Sequence, residues 1–245
     1  MDYEKYYTNN KKYSIFLDGQ DKSSFKKYSD YIIKYSKNNS KILDTGCGTG
    51  LVLEQIKSMA KRELYGIEVS RESIKICLKK KLNCQYYDGK KMPFKDSFFD
   101  CVGSMNVLEH TNDPVGFLNE QKRILKKGGY LIVSCPNFLS VTNSYHHHTA
   151  GVFQKLQNLL TLLLKYIRRD VSFEKMRTID REDFQPDDDA CNVTNPLDVL
   201  AWGKQNKLSV VEWSSQQFYT AGVKSILDRG IMRLFLGSSF IVFKK

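Results

Sequence analysis

The segment Lys41-Ile42-Leu43-Asp44-Thr45-Gly46-Cys47-Gly48-Thr49-Gly50 joins a short apolar run to three alternating glycines. The apolar run predicts a buried strand, and the periodic apolar residues from Leu51 to Lys61 predict a helix. Glycine has no Cβ and tolerates positive φ, so a ligand can lie directly against the main chain of such a turn. A strand, a glycine turn and a helix N-terminus together predict a site for a nucleotide-like molecule.

A second acidic residue, Glu68, ends the next predicted strand, Leu64-Tyr65-Gly66-Ile67-Glu68. A carboxylate about 20 residues beyond a glycine turn is suited to hold the two hydroxyls of a ribose. The two strands therefore predict one ligand that contacts both strand ends.

The glycine spacing narrows the class of ligand. A dinucleotide fingerprint places its third glycine three residues after the second, but Leu51 stands at that position and the glycine comes one residue earlier, at Gly50. Asp44, which precedes the turn, would repel a diphosphate. The pattern therefore disfavours a dinucleotide and favours a ligand with an ammonium or a sulfonium group.

The composition indicates one sizeable basic domain. The 245 residues carry 38 Lys and Arg against 27 Asp and Glu, a net charge of +11, and the excess is spread along the chain. Such a field favours anionic substrates only weakly. The cysteines form no C-x-x-C pair and are predicted to be small buried residues of a reducing compartment, with no metal centre. They are Cys47, Cys77, Cys84, Cys101, Cys135 and Cys191.

Neither a signal peptide nor a membrane span is expected. The first residues are too polar for a signal peptide. The longest apolar run, Leu156 to Ile167, is interrupted by polar residues and is too short to cross a bilayer. We therefore expect a cytoplasmic protein without membrane insertion.

Strands and helices alternate up to Asn137, which predicts parallel strands with helical crossovers. Asp113 and Pro114 have the residue types of a helix N-cap and first position, and Gly128-Gly129 is expected to end that helix. Two more strands are expected near the C-terminus, with a helix around Val223 to Phe235 between them. The predicted strands after the second are Cys84 to Tyr87, Phe98 to Ser104, Tyr130 to Ser134, Ser209 to Ser214 and Ser239 to Phe243.

The fold class predicted from this order is α/β, a Rossmann-like doubly wound and mostly parallel seven-stranded sheet with helices on both faces. Ligands of such sheets bind at the carboxyl ends of the strands. Glu68, Asp88 and Asn106 all follow predicted strands, so we expect them to meet in one crevice.

The chain is expected to form a single domain with four parts. Residues 1–23, rich in tyrosine, form an N-terminal lid or tail, and residues 24–137 form the cofactor-binding core. Residues 138–195 break the alternation and are predicted to be a helical and loop insertion that caps the substrate site. Residues 196–245 complete the sheet.

Several segments together resemble the class I S-adenosylmethionine-dependent methyltransferases, in particular their small-molecule branch with a domain of the methyltransferase 11 type. The resemblance covers about residues 40 to 137. Besides the glycine turn, it rests on Asp88-Gly89, Met92-Pro93-Phe94, Phe98-Phe99-Asp100, the run from Asn106 to Pro114, and the run from Glu120 to Leu131.

The resemblance implies S-adenosylmethionine as the cofactor and S-adenosylhomocysteine as its product. It places the methionine moiety against the glycine turn, the ribose on Glu68, the adenine amino group on Asp88, and the sulfonium near Asn106 and Val107. The cofactor-binding residues implied in this way are Asp44, Gly46, Cys47, Gly48, Glu68, Val69, Asp88, Gly89, Asn106 and Val107.

His110, which follows the fourth strand, is the candidate general base for a hydroxyl acceptor. It could equally be a packing residue of that loop. His146, His147 and His148 are further candidates for an acid or base in the cap. Two of these three with an acid from Asp187 to Asp189 could hold a metal, but the spacing matches no standard ligand set, which favours a polar loop.

Three functions remain open from the sequence. The leading hypothesis is methyl transfer to a small-molecule acceptor, at an oxygen of a sugar, a glycan precursor or another secondary metabolite. A nucleic-acid methyltransferase is disfavoured because Ser104-Met105-Asn106-Val107 contains no Asn-Pro-Pro-Tyr-like sequence. The third is a non-catalytic module that binds the cofactor. Both a monomer and a homodimer are compatible with the sequence.

Overall fold

A mixed seven-stranded sheet organises the chain. The computed structural model describes residues 6–7, 10–138, 140, 151–168, 170–179, 188–215, 231–234 and 236–245. Its strands are β1 Lys41–Thr45, β2 Glu63–Glu68, β3 Cys84–Tyr86, β4 Phe99–Met105, β5 Leu125–Cys135, β6 Glu174–Lys175, β7 Asn192–Val193, β8 Ser209–Ser215 and β9 Ser239–Lys244. Its α-helices are α1 Lys11–Asp18, α2 Lys26–Lys34, α3 Leu51–Met59, α4 Arg71–Lys79, α5 Pro114–Ile124, α6 Val152–Arg168 and α7 Pro196–Gln205.

The strand order is β3-β2-β1-β4-β5-β9-β8. The first five strands pair in parallel, and β9 runs antiparallel between β5 and β8. The fold class predicted from the sequence is therefore confirmed. Because the order reverses between β1 and β4, the loops that leave these two strands diverge to opposite faces and open a crevice at their carboxyl ends.

The burial of the strands explains why the sheet forms. Ile42 and Leu43 of β1 are fully buried, as is the run Phe240-Ile241-Val242-Phe243 of β9. Continuous apolar runs of this kind suit strands that are covered on both faces. The sheet is thus a rigid platform on which the loops at its carboxyl edge are held.

Local capping signals place the helices beside the crevice. Ser70 accepts a hydrogen bond from the amide of Ser73 at the start of α4. Asp113 accepts one from the amide of Gly116, and Pro114 occupies the first position of α5. The start of α5 is therefore confirmed as predicted.

The predicted end of α5 at Gly128-Gly129 is wrong. The helix ends at Ile124, and β5 begins at once with Leu125. The amides of Ser97 and Phe98 donate to the carbonyls of Arg123 and Ile124 and so occupy the last acceptors of the helix. Gly128, at φ +79°, instead lies in the part of β5 where the register with β4 shifts.

The N-terminal helix α1 is attached beside the glycine turn. The hydroxyl of Ser14 lies 3.3 Å from that of Ser70 and 3.0 Å from that of Ser73. Lys80 joins Asp18 of α1, at 2.7 Å, to the carbonyl of Thr49 in the turn, at 3.1 Å. These contacts fix α1 across the crevice.

The predicted apolar helix in the insertion is present as α6. Phe153, Leu160, Leu164 and Ile167 of this helix are exposed. Among the described helices, none combines the length and apolarity that a membrane crossing requires. His146, His147, His148 and most of the helix predicted around Val223 to Phe235 lie outside the described residues.

A glycine on α7 sets the distance between this helix and the sheet. A Cβ at Gly203 would lie 2.2 Å from Cε1 of Phe243 in β9. Alanine usually stabilises a helix by about 1 kcal/mol relative to glycine. Because the overlap with a buried ring costs about 1–3 kcal/mol, we expect Gly203→Ala to lower the free energy of unfolding, measured by urea denaturation. The control is Gly19→Ala, whose Cβ would meet only ordinary contacts from 3.5 Å outward; equal stability of the two variants would contradict the packing.

Candidate functional site

A cavity of about 380 Å³ opens at the carboxyl ends of β1, β2 and β4. The glycine turn forms its floor, and residues from α1 line the opposite wall. The sequence-predicted residues that line it are Asp44, Gly46, Cys47, Gly48, Glu68, Val69, Asn106, Val107 and His110.

Two predicted residues lie elsewhere. Asp88 is exposed, and its carboxylate accepts a hydrogen bond from the amide of Lys90 at 3.0 Å. Neither Asp88 nor Gly89 lines the cavity, whereas Tyr87 beside them does. The histidines 146–148 fall outside the described residues.

The glycine turn is held tightly against its neighbours. The amides of Gly46 and Cys47 both donate to the carbonyl of Ile67, at 2.8 and 3.1 Å. Gly46 has φ +75°, and a Cβ there would lie 2.4 Å from a methyl group of Val107. Only glycine satisfies both the positive φ and the close approach, so the loops after β1 and β4 meet at this residue.

Glu68 is a buried carboxylate with three backbone donors. Its oxygens accept hydrogen bonds from the amides of Gly48 at 2.9 Å, Val69 at 2.8 Å and Ser70 at 3.0 Å. Burial raises the pKa of Glu68, and the three amides offset part of this effect. The carboxylate is thus fixed at the cavity and connects the glycine turn to the end of β2.

Asp44 is the second buried carboxylate of the floor. The hydroxyl of Tyr28 donates to it at 2.9 Å. Burial raises the pKa of Asp44 to about 7, the hydrogen bond from Tyr28 opposes the rise, and the charge of Glu68 adds to it. A floor with two carboxylates favours a cationic group in the cavity.

His110 stands at the mouth of the cavity with an acidic partner. Its Nδ1 lies 2.9 Å from a carboxylate oxygen of Asp189, and its Nε2 lies 3.8 Å from Oε1 of the buried Glu109. Burial raises the pKa of Asp189 to about 6. The imidazole of His110 thus lies near two carboxyl groups, one beside each of its nitrogens.

Asn192 fastens the segment of Asp189 to the loop of His110. Its side-chain amide donates to the carbonyls of Leu108 and Glu109 at 3.2 Å and of Thr111 at 2.7 Å. The amide of Cys191 also donates to the carbonyl of Glu109 at 2.9 Å. These bonds position residues that are separated by about 80 positions in the sequence.

Aromatic side chains from the N-terminal region cover the cavity. Tyr7, Tyr13 and Phe16 line it, and the rings of Tyr7 and Tyr13 pack edge to face with centroids 4.8 Å apart. The ring of Tyr7 also lies edge-on to that of His110, at 6.3 Å. Burial raises the pKa of Tyr13 well above its usual value, so this tyrosine is neutral.

The sequence did not identify Tyr28 or Asp189 in these roles. Tyr28 lies in α2, and a tyrosine on the buried face of a helix gives no sequence signal for its hydrogen-bond partner. Asp189 belongs to the acidic segment that we considered beside the histidines 146–148, and the structure places it against His110 instead. The acidic run Asp187 to Asp189 indicated a site, but it did not identify His110 as the partner of Asp189.

Comparison with known proteins identifies related domains. Residues 43–133 match the methyltransferase domain family. An uncharacterized methyltransferase of Schizosaccharomyces pombe is 36% identical over 126 residues, which cover 46% of this chain and 45% of that protein. A ubiquinone biosynthesis O-methyltransferase of Pelagibacter ubique is 33% identical over 104 residues, covering 40% and 43%. The chain thus spans less than half the length of these curated relatives.

A solved structure shows the same fold over nearly the whole chain. An S-adenosylmethionine-dependent methyltransferase from Mesorhizobium loti superposes with a TM-score of 0.62 and covers 94% of this chain and 100% of its own. At 12% identity this likeness concerns the fold alone.

Proposed function

Because the chain belongs to the class I S-adenosylmethionine-dependent methyltransferase family, we propose that it transfers a methyl group from S-adenosylmethionine to a small-molecule acceptor. The observation that carries this proposal is the cavity floor. Two buried carboxylates, Asp44 and Glu68, flank a glycine turn, and both carboxylates and the turn line the cavity. A cofactor with an ammonium, a sulfonium and a ribose has the groups that this floor can bind.

The described residues fit that cofactor. The volume of about 380 Å³ is within the usual range of ligand sites, and Gly46 and Gly48 line the cavity without side chains. We assign the methionine moiety to Asp44, Gly46, Cys47 and Gly48, and the ribose hydroxyls to Glu68. Val69 would line the adenosine side with Tyr87, and Asn106 and Val107 would lie near the sulfonium. Asp88 and Gly89 do not line the cavity, so the amino group of adenine would reach them only beyond Tyr87.

His110 is the residue that we assign as general base. The methyl group of a sulfonium is already activated, so catalysis requires mainly that a nucleophile be placed near it and water excluded. Asp189, at 2.9 Å from Nδ1, would favour a proton on that nitrogen, and we assign Nε2 as the atom that accepts the proton of an acceptor hydroxyl. The carboxyl group of Asp189, beside Nδ1, would stabilise the imidazolium that results.

An oxygen acceptor is the chemistry that this arrangement favours, because a hydroxyl benefits from a base whereas an amine or thiol needs one less. O-methyltransferases occur among the relatives, beside an N-methyltransferase and a C-methyltransferase. We place the acceptor, a sugar, a glycan precursor or another secondary metabolite, under the aromatic wall that includes Tyr7 and Phe16. The fold neighbours do not distinguish a nucleic-acid acceptor or a module without turnover, and acceptor assays separate these alternatives.

The cofactor assignment is tested by Glu68→Ala. We expect the variant to bind S-adenosylmethionine and S-adenosylhomocysteine at least about tenfold more weakly in calorimetry, because each hydrogen bond to a charged group contributes about 1.5–3 kcal/mol. Glu63→Ala, at the exposed start of the same strand, is the control. Glu68→Gln keeps the side-chain volume but loses the charge, and it should also weaken binding. Parental affinity in both Glu68 variants, with thermal unfolding showing that they are folded, would refute the assignment.

Asp44 should make cofactor binding depend on pH. Its pKa is about 7 in the free protein, and only the ionised form attracts an ammonium. We therefore expect the affinity for S-adenosylhomocysteine to be constant above neutral pH and to fall by up to about tenfold per unit as the pH drops below about 7.

Tyr28→Phe tests the origin of this dependence. It removes a hydrogen bond that lowers the pKa of Asp44, so the midpoint of the affinity profile should move to higher pH. Tyr31→Phe is the matched control, since Tyr31 lies on the same helix and donates to Glu212 at 2.5 Å instead. An affinity that stays level down to pH 5.5 in the parent would contradict the role of Asp44.

The His110 and Asp189 pair is tested by turnover. We expect His110→Ala and Asp189→Asn to lower kcat by about 10²-fold or more on a hydroxyl acceptor, with little change in cofactor affinity. Asp188→Asn is the matched control, because this neighbouring residue does not line the cavity. Unchanged turnover in both variants would mean that another group acts as the general base, or that placing the acceptor close to the methyl group is sufficient for the reaction.

A further inference from the structure

Three cysteines from separate elements meet behind the glycine turn. Cys47 belongs to the turn, Cys77 to α4 and Cys84 to β3, and their sulfur atoms all lie within 4.8 Å of one another. All three side chains are buried. From the sequence, the three cysteines are predicted only to be small apolar residues, because their spacing matches no ligand motif.

The neighbouring strand leaves room for the sulfur atoms. A Cβ at Gly66 of β2 would lie 2.7 Å from the sulfurs of both Cys47 and Cys84. The absence of a side chain at this position is therefore what lets two thiols lie over the strand. An apolar shell of Leu53, Ile74 and Leu82 surrounds the cluster.

The thiols already interact with polar groups of the turn. The sulfur of Cys77 donates to the carbonyl of Gly48 at 3.3 Å, and that of Cys47 to the same carbonyl at 3.8 Å. The ammonium of Lys80 donates to the adjacent carbonyl of Thr49 at 3.1 Å.

We propose that Cys47, Cys77 and Cys84 form a binding site for a thiophilic divalent metal ion of the zinc class. A point equidistant from three sulfurs at their largest separation lies about 2.8 Å from each, and a contraction of about 0.5 Å gives the zinc–sulfur distance of about 2.3 Å. Sulfur ligands select zinc-like ions over magnesium and calcium.

The charge balance favours a divalent ion. Three thiolates and one divalent cation leave a single negative charge, a smaller charge than a monovalent ion would leave. Once the thiols lose their protons, the carbonyl of Gly48 loses its S–H donors. This carbonyl or a water molecule can then supply the fourth ligand.

The site would join three elements that carry the cavity floor. Cys47 also lines the cavity, so an ion can reach the cluster from the crevice. A bound ion would fix the glycine turn to α4 and β3 from behind. This inference goes beyond the proposed function and does not depend on it, because its tests need neither cofactor nor acceptor.

The experiment is an anaerobic titration of the reduced protein with Cd²⁺, whose thiolate complexes absorb in the ultraviolet. We expect one equivalent to saturate the charge-transfer band and to raise Tm, because an ion that binds the folded state stabilises it. The affinity should fall at acid pH, and binding should release protons to the buffer, since the ligands are thiolates. Zn²⁺ should displace Cd²⁺ competitively.

Variants locate the site. Cys77→Ala and Cys84→Ala should each lower the affinity at least about tenfold, since two protein thiols cannot complete the coordination of the ion. Cys135→Ala, at a buried cysteine of β5 outside the cluster, should bind like the parent. Circular dichroism without metal establishes that each variant is folded.

X-ray absorption at the zinc edge gives a measurement independent of the variants. Three sulfur neighbours at about 2.3 Å support the site. Absence of a saturable one-equivalent complex, binding that survives in both cluster variants, or a spectrum with fewer than three sulfur neighbours would overturn the proposal.

Discussion

The candidate site depends on one buried carboxylate. Glu68 accepts hydrogen bonds from the amides of Gly48, Val69 and Ser70, and so connects the turn after β1 to the end of β2. An unpaired charge at this depth would be costly, whereas each bond to a charged acceptor contributes about 1.5–3 kcal/mol. The same bonds that make the burial tolerable also set the backbone of the glycine turn. The rest of the cavity floor is arranged around this junction.

The negative charge of the floor has consequences on both of its sides. On the cavity side, burial and the charge of Glu68 raise the pKa of Asp44 to about 7, and the hydrogen bond from Tyr28 opposes this rise. A cationic ligand would offset the repulsion between the two carboxylates, and this would contribute to its binding energy. On the far side, the sulfurs of Cys77 and Cys84 lie against the same turn. A change of charge in the thiol cluster would therefore alter the electrostatic environment of the two carboxylates.

The sequence predicted the sheet and the cavity floor well because both follow from local patterns. A strand that ends in an acid or a glycine turn has a recognisable composition, and parallel strands bring their carboxyl ends together without further information. The end of α5 was predicted wrongly for a non-local reason: the amides of Ser97 and Phe98 take the last carbonyls of the helix, so Gly128 has no helix to end. The pairing of Tyr28 with Asp44 was likewise invisible, because the hydroxyl of a tyrosine on an apolar face gives no signal of its partner.

The opposite wall of the cavity is held together by contacts between segments that are far apart in the sequence. Asp189 reaches His110 only because Asn192 and Cys191 bind the carbonyls of the loop after β4, and Tyr7 approaches the same imidazole from the N-terminal region. These contacts join segments far apart in the sequence, and no periodicity describes them. Because the floor is built from short-range geometry and this wall from long-range hydrogen bonds, substitutions can change the wall without disturbing the floor. Selectivity for the acceptor is therefore expected to reside in residues 188–195 and in α1, while the glycine turn and Glu68 retain one fixed ligand.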